Sequence, residues 1–242
     1  MQDGTVPSVR ALRRPLGIFF LAITAGVLGF PVGVCAEEDG APGGWYAMSV
    51  IQATGRMTVT HLWSKGDLFR SVSVIRGVPI VTLVNKNTYY TINEMENIAL
   101  AVERSPGAVA EDASRGRPFA NELNMLIEQG GEKIRVQSVA GAMTTVWRVT
   151  DDAGQRTVWA LAGGPAVPIR VENFDRKSGV TGQVAYVNWL YDIPIPDEFF
   201  EPWEGLKIRR MSYPQYLKAR GLGPVGPAPP LFSELLNGRK RD

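Results

Sequence analysis

The sequence predicts a mainly β protein, built of antiparallel meanders with a single covering helix. Three observations carry this. Apolar and polar side chains alternate with period two over most of the chain after residue 44. Short turn-forming clusters separate the alternating runs, and only one stretch has convincing helical spacing. The clearest run places Met57, Val59, His61 and Trp63 on one face and Thr58, Thr60, Leu62 and Ser64 on the other. Lys65-Gly66-Asp67 then supplies a tight turn, since glycine takes positive φ without steric cost. With the turn centred on Lys65-Gly66, the strand from Leu68 to Arg76 returns with Leu68 opposite Trp63, Arg70 opposite His61 and Val72 opposite Val59.

A strand from Trp45 to Ala53 precedes this hairpin. Ile80 to Asn85, Thr88 to Asn93 and Ile98 to Arg104 follow it, completing a meander of about six strands. Ser105 to Arg117, rich in Gly, Ala, Ser and charge, reads as a surface loop. Pro118 suits a helix start, and Phe119, Leu123, Leu126 and Ile127 form one apolar stripe that Gly130-Gly131 ends. This helix is expected against a face of the sheet. A second meander follows, with strands at Ile134 to Val139, Thr144 to Thr150, Thr157 to Ala162, Ile169 to Phe174 and Gly182 to Leu190. Ile193 to Pro202 closes the domain as an extended segment with buried aromatics. A short helix is expected from Tyr213 to Ala219. From Gly221 the chain is Pro/Gly-rich, ends in Arg239-Lys240-Arg241, and reads as a disordered tail.

The first 36 residues have the pattern of a secretory signal peptide. Arg10, Arg13 and Arg14 precede an uncharged apolar run from Leu16 to Val34, and Ala36 offers a small residue at the cleavage point. The expected organisation is therefore residues 1–36 as signal, 37–212 as a β domain and 213–242 as the short helix and tail, with the mature chain periplasmic. A retained membrane anchor is opposed by Pro31 and the glycines at 26, 29 and 33. Lipidation at Cys35 is opposed by Val34, where a lipobox has Gly or Ala. The 242 residues carry 26 basic and 24 acidic side chains, and removing the signal leaves 23 of each. The balanced charge offers nothing to nucleic acid. The only cysteine is Cys35, so the remaining chain must be held by its core without disulfides.

Little in this chain serves catalysis. A mature chain without cysteine has no thiol nucleophile or thiolate metal site, and the lone His61 rules out a multi-histidine centre. No nucleophile elbow, phosphate loop or dinucleotide fingerprint is present. No catalytic residue, metal or cofactor is expected, and a hydrolase would have to depend on His61. The acidic group Asp197, Glu198, Glu201 and Glu204 reads as a solvated turn. His61 and Arg70 have two readings: a polar anchor inside an apolar groove, or a cross-strand pair near a sheet edge. Met57, Val59, Trp63, Leu68, Val72 and Val74 share one side of adjacent strands. That side, under Phe119, Leu123, Leu126 and Ile127, is either the lining of a cavity or a filled core.

Leu62-Trp63-Ser64-Lys65-Gly66-Asp67-Leu68-Phe69, the meander from Ile80 to Ala101 and the closing Phe199-Phe200-Glu201-Pro202-Trp203-Glu204-Gly205-Leu206 resemble the LolA-like group of periplasmic lipoprotein carriers and outer-membrane lipoprotein-sorting proteins. The likeness spans about Trp45 to Ile208. It implies a strongly curved antiparallel sheet, an unclosed half-barrel with a helix over its apolar concavity. It also implies binding of lipid or lipidated protein without chemistry, in exchange with inner- or outer-membrane complexes. The chain departs from such carriers in having Gly66 at their lid-holding arginine position, and Glu37 to Gly44 is too short for their N-terminal helix. The alternative from another class is an envelope protein-binding or sensor module on the same fold.

Overall fold

The structure, a computed structural model, describes residues 43–53, 55–113 and 121–238. The expected signal segment with Cys35 and Ala36, the helix residues Pro118 and Phe119, and the terminal Arg239-Lys240-Arg241 lie outside these residues.

Six strands run in succession: β1 (Gly44–Ala53), β2 (Arg56–Lys65), β3 (Leu68–Ile75), β4 (Val78–Asn85), β5 (Thr88–Asn93) and β6 (Ile98–Glu103). Two helices follow, α1 (Pro106–Ala113) and α2 (Glu122–Glu128). The second meander is β7 (Glu132–Val139), β8 (Ala142–Thr150), β9 (Gly154–Leu161), β10 (Pro168–Asp175) and β11 (Val180–Ile193). A 3-10 turn at Asp197–Phe200 then leads to β12 (Lys207–Met211), α3 (Tyr213–Gly221) and α4 (Ser233–Asn237). Both meanders lie where the alternation placed them.

The twelve strands form one open sheet in the order β12-β6-β5-β4-β3-β2-β1-β11-β10-β9-β8-β7. The long β11 returns to pair with β1 and so joins the two meanders. All pairings are antiparallel except β12 with β6, which is parallel. The inner faces of both halves contribute to one hydrophobic cluster, from Leu100 on β6 to Val158 on β9, so the sheet curls around its core. The two edges never meet. Each edge strand carries charge, Glu132, Lys133 and Arg135 on β7 and Lys207, Arg209 and Arg210 on β12, which discourages pairing with another chain.

Four expectations need correction. The turn after β2 is Gly66-Asp67, so Lys65 pairs with Leu68, Trp63 with Arg70 and His61 with Val72. The register slides by two residues, which leaves the faces unchanged but separates His61 from Arg70. The stretch read as a loop after Ser105 contains α1, whose first turn is fastened when Ala108 N donates to Ser105 Oγ at 3.0 Å. Strand β12 was not expected, because five residues with three positive charges show no apolar alternation. The segment after Gly221, expected as a disordered tail, packs on the core: Leu235 and Leu236 are buried and Phe232 packs beside them. Among the described residues, no helix is long and apolar enough to cross a membrane.

Candidate functional site: the inner wall and its C-terminal strap

The register aligns the inner wall in rows across the first six strands. One row is apolar at most positions: Trp45, Ser64, Phe69, Val84, Tyr89 and Val102. The next is mixed: Ala47, Leu62, Ser71, Thr82, Thr91 and Leu100. The third begins Ser49, Thr60, Ser73, with the Thr60 and Ser73 hydroxyls 2.7 Å apart. Small hydroxyl side chains let other segments approach the wall closely. Ser64 Oγ and Ser71 Oγ are buried with no hydrogen-bond partner among the described residues.

On the other side of β1 the wall becomes aromatic. Two irregularities interrupt the β1–β11 ladder, and Asn188 and Asp192 on β11 take positive φ of 56° and 52°. Such bulges re-aim side chains. They let Tyr186, Trp189 and Tyr191, which strict alternation would split between faces, all pack on the inner cluster. Trp189 sits 5.5 Å from both Trp45 and Tyr186, 6.0 Å from Tyr191, and its Nε1 donates to Pro168 O at 3.1 Å. Helix α2 lies against β8, β9 and β10, with Leu123 and Leu126 buried in the cluster. The Tyr186 hydroxyl donates to the Glu122 carboxylate, which fastens the helix start to β11. Gly131 closes this helix because an added Cβ would stand 1.9 Å from a Leu126 methyl.

On the β3–β6 side the wall is covered by the chain's own C-terminus. This strap runs from Leu222 to Gly238. Phe232 packs edge-on against Phe69 at 5.1 Å, and its N–H donates to Tyr89 Oη at 3.3 Å. Burial pushes the Tyr89 hydroxyl up to about 12, so it stays protonated under ordinary conditions. Gly226, with φ of 80°, lies so close to β6 that a Cβ would meet Leu100 Cδ2 at 2.7 Å. The fastening point is Arg104, buried at the end of β6. Its Nε donates to Leu235 O at 2.5 Å, Nη1 to Lys86 O at 3.0 Å, and Nη2 to the Asp112 carboxylate of α1. Ser105 adds two bonds, from its N to Leu236 O at 2.9 Å and from its Oγ to Asn237 O at 2.8 Å. Between α3 and the strap lies a cavity of about 610 Å³, lined by Tyr216, Arg220 and the Pro- and Gly-rich run from Gly223 to Pro230.

No family model and no curated protein sequence matches this chain. Solved structures do match. An uncharacterized conserved protein from Thermus thermophilus aligns over 70% of this chain and 91% of its own, with a TM-score of 0.51 at 10% identity. The lipoprotein LppX from Mycobacterium tuberculosis aligns over 62% and 88%, with a TM-score of 0.37 at 12% identity. A putative outer membrane lipoprotein-sorting protein domain from Vibrio parahaemolyticus aligns over 67% and 91%, with a TM-score of 0.33 at 12% identity. At such identities the likeness concerns fold alone. The fold is an open, curved sheet of twelve strands.

The residues expected to form one groove divide between the two faces of the sheet. Leu123 and Leu126 lie on the inner cluster, while Ile127 is exposed and Phe119 is outside the described residues. Met57, Val59, Trp63, Leu68, Val72 and Val74 belong to the outer face, opposite the helix, because the inner positions of β2 and β3 are Thr60, Leu62, Ser64, Phe69, Ser71 and Ser73. Met57 is 71% exposed and Val74 58%. Trp63 packs on Phe199 at 5.4 Å, and Val72 packs on the outer cluster of Val81, Leu83, Tyr90 and Ile92.

The two polar anchor candidates also sit apart. His61 Nδ1 lies 2.9 Å from Tyr46 Oη on β1, and its ring stacks with Trp63. Arg70 fastens the closing segment: Nη1 donates to Phe199 O at 2.9 Å, with the guanidinium 4.6 Å over the Phe199 ring. Burial lowers the Arg70 pKa, and the charge of Glu94 works in the opposite direction. Lys65 helps by donating to Ile195 O at 2.9 Å and to Asp197 Oδ1 at 2.8 Å. Among the described residues, no group of three His, Cys, Asp or Glu side chains is placed to hold a metal ion. The strap residues escaped the sequence reading, although Phe232, Leu235 and Leu236 have the i, i+3, i+4 spacing of a docked apolar turn.

Proposed function

We propose that this chain is an exported envelope protein that binds a hydrophobic ligand, lipid or lipoprotein acyl chains, on the inner wall of the half-barrel. One observation supports this most directly. The apolar inner wall is completed by short segments, α2 and the C-terminal strap, rather than by a second sheet. A ligand that displaces the strap replaces the contacts of Phe232 and Leu236 with its own methylenes, at about 0.8 kcal/mol for each CH₂ buried. A chain of ten buried methylenes therefore contributes roughly 8 kcal/mol toward opening the strap. The partly buried Trp189 and Tyr191, packed on Trp45 and Tyr186, are suited to an acyl chain's first contact.

The protein recovered from the periplasm should carry lipid detectable by native mass spectrometry, or bind a fluorescent fatty acid in competition with added lipid. Trp189→Glu on the inner wall should weaken that probe at least tenfold, and Val74→Glu on the outer face should leave it unchanged. Absence of both co-purified lipid and probe binding would sink the carrier reading. A stable protein partner captured without lipid would favour a binding or sensor role.

A further inference from the structure

The strand directions place three neighbouring hairpin tips at one end of the half-barrel. They are the β3–β4 turn at Arg76-Gly77, the β1–β2 turn ending at Arg56, and the β10–β11 turn at Arg176-Lys177. Consecutive neighbours in the sheet order β4-β3-β2-β1-β11-β10 supply them, so the tips stand side by side. All four basic side chains are exposed, and none forms an ion pair among the described residues. The acidic member of these tips, Asp175, is turned inward on its own loop, accepting bonds from Ser178 N at 2.6 Å and Ser178 Oγ at 2.7 Å. Asp152 of the adjoining β8–β9 turn lines a shallow depression beside Arg176 and Lys177.

Apolar side chains crowd the same end. Met57 is 71% exposed, Val74 58% and Phe174 41%, each within three residues of a basic tip. Aliphatic and aromatic groups this exposed have no role in the core. The tips flanking the trio are acidic, Glu94 and Glu96 after β5 and Asp151 and Asp152 after β8. A net charge near zero thus conceals a local arrangement: a basic, apolar edge three hairpins wide between acidic shoulders.

We propose that this edge docks on an anionic lipid bilayer, its arginines and lysine meeting lipid phosphates while Met57, Val74 and Phe174 enter the interface. Charge complementarity selects the occupant, since apolar groups among basic ones match an interface with negative headgroups above hydrocarbon. The docking does not depend on what the inner wall carries.

The test is flotation of the protein, in the form the cell exports, with vesicles of phosphatidylethanolamine and phosphatidylglycerol. Each basic residue near an anionic surface is worth about a fivefold change in partitioning. The triple variant Arg56→Gln, Arg76→Gln, Arg176→Gln should therefore bind about a hundredfold more weakly. Binding should fall in 0.5 M salt and on pure phosphatidylcholine vesicles. Met57→Ser with Val74→Ser should weaken it as well, while Lys86→Gln, at the opposite end of the sheet, should not. Circular dichroism and thermal melting confirm that each variant is folded. The proposal is overturned if the parent protein does not float with anionic vesicles, if lipid charge has no effect, or if Lys86→Gln weakens binding as much as the triple variant.

Discussion

Arg104→Ala tests how the strap is held. The buried guanidinium donates to Leu235 O on the strap, Lys86 O on the β4–β5 turn, Ala108 O on α1 and the Asp112 carboxylate. Alanine removes all four bonds, the one to the buried Asp112 carboxylate among them. Breaking a buried ion pair from one side costs about 3–5 kcal/mol, against a total stability of roughly 5–15 kcal/mol for a domain. Urea unfolding followed by tryptophan fluorescence measures the loss. Hydrogen exchange locates it: the amides of Phe232, Leu235 and Gly238, bonded to Tyr89 Oη, Phe232 O and Glu234 O, should exchange faster than those of β3 and β4. Replacing the pair together, as Arg104→Met with Asp112→Leu, should cost less than Arg104→Ala, because both buried charges are then removed. The reasoning fails if Arg104→Ala costs under about 1 kcal/mol and the strap amides keep their protection.

Two more outcomes follow from the inner wall. The Tyr89 pKa is raised from 10.0 to about 12, so its neutral form contributes stability that is complete below pH 10. That contribution is lost as pH rises from 10 to about 12, by about 3 kcal/mol in total, and Tyr89→Phe should flatten this alkaline decline in urea titrations. Ser71 Oγ is buried without a partner among the described residues, so Ser71→Ala should be neutral or stabilise by up to about 1 kcal/mol in the same assay. A loss of stability would show that the hydroxyl is bonded.

The strands were legible because Val, Ile, Thr and aromatic residues alternate with polar ones between Gly- and Asn-containing turns. The choice of face was not. In β2 the odd positions offer Met57, Val59 and Trp63, while the inner positions offer Thr60, Leu62 and Ser64. Simple apolar counting favours the outer set. The inner wall accepts small hydroxyls because the strap and helices complete it, and those partners lie tens of residues away. Part of the outer set is covered, Trp63 by Phe199 of the closing segment and Val72 by the outer cluster, and Met57, Val59 and Val74 are left exposed. The turn after β2 shows how fine the register signal is: moving its centre by one residue, from Lys65-Gly66 to Gly66-Asp67, decides whether His61 or Trp63 meets Arg70. The bulges at Asn188 and Asp192 had no such cue, since a positive φ at Asn or Asp is permitted but not dictated by sequence.

The parallel pairing of β12 with β6 has a consequence in time. Strand β6 leaves the ribosome about a hundred residues before its edge partner, on the order of 5–20 s at ~5–20 residues per second. Throughout that delay the backbone groups of β6 that point away from β5 lack their β12 partner on an apolar strand. The chain is most vulnerable to wrong partners when it is half made, and a stop codon placed before Lys207 should yield a product prone to aggregate rather than a smaller stable domain.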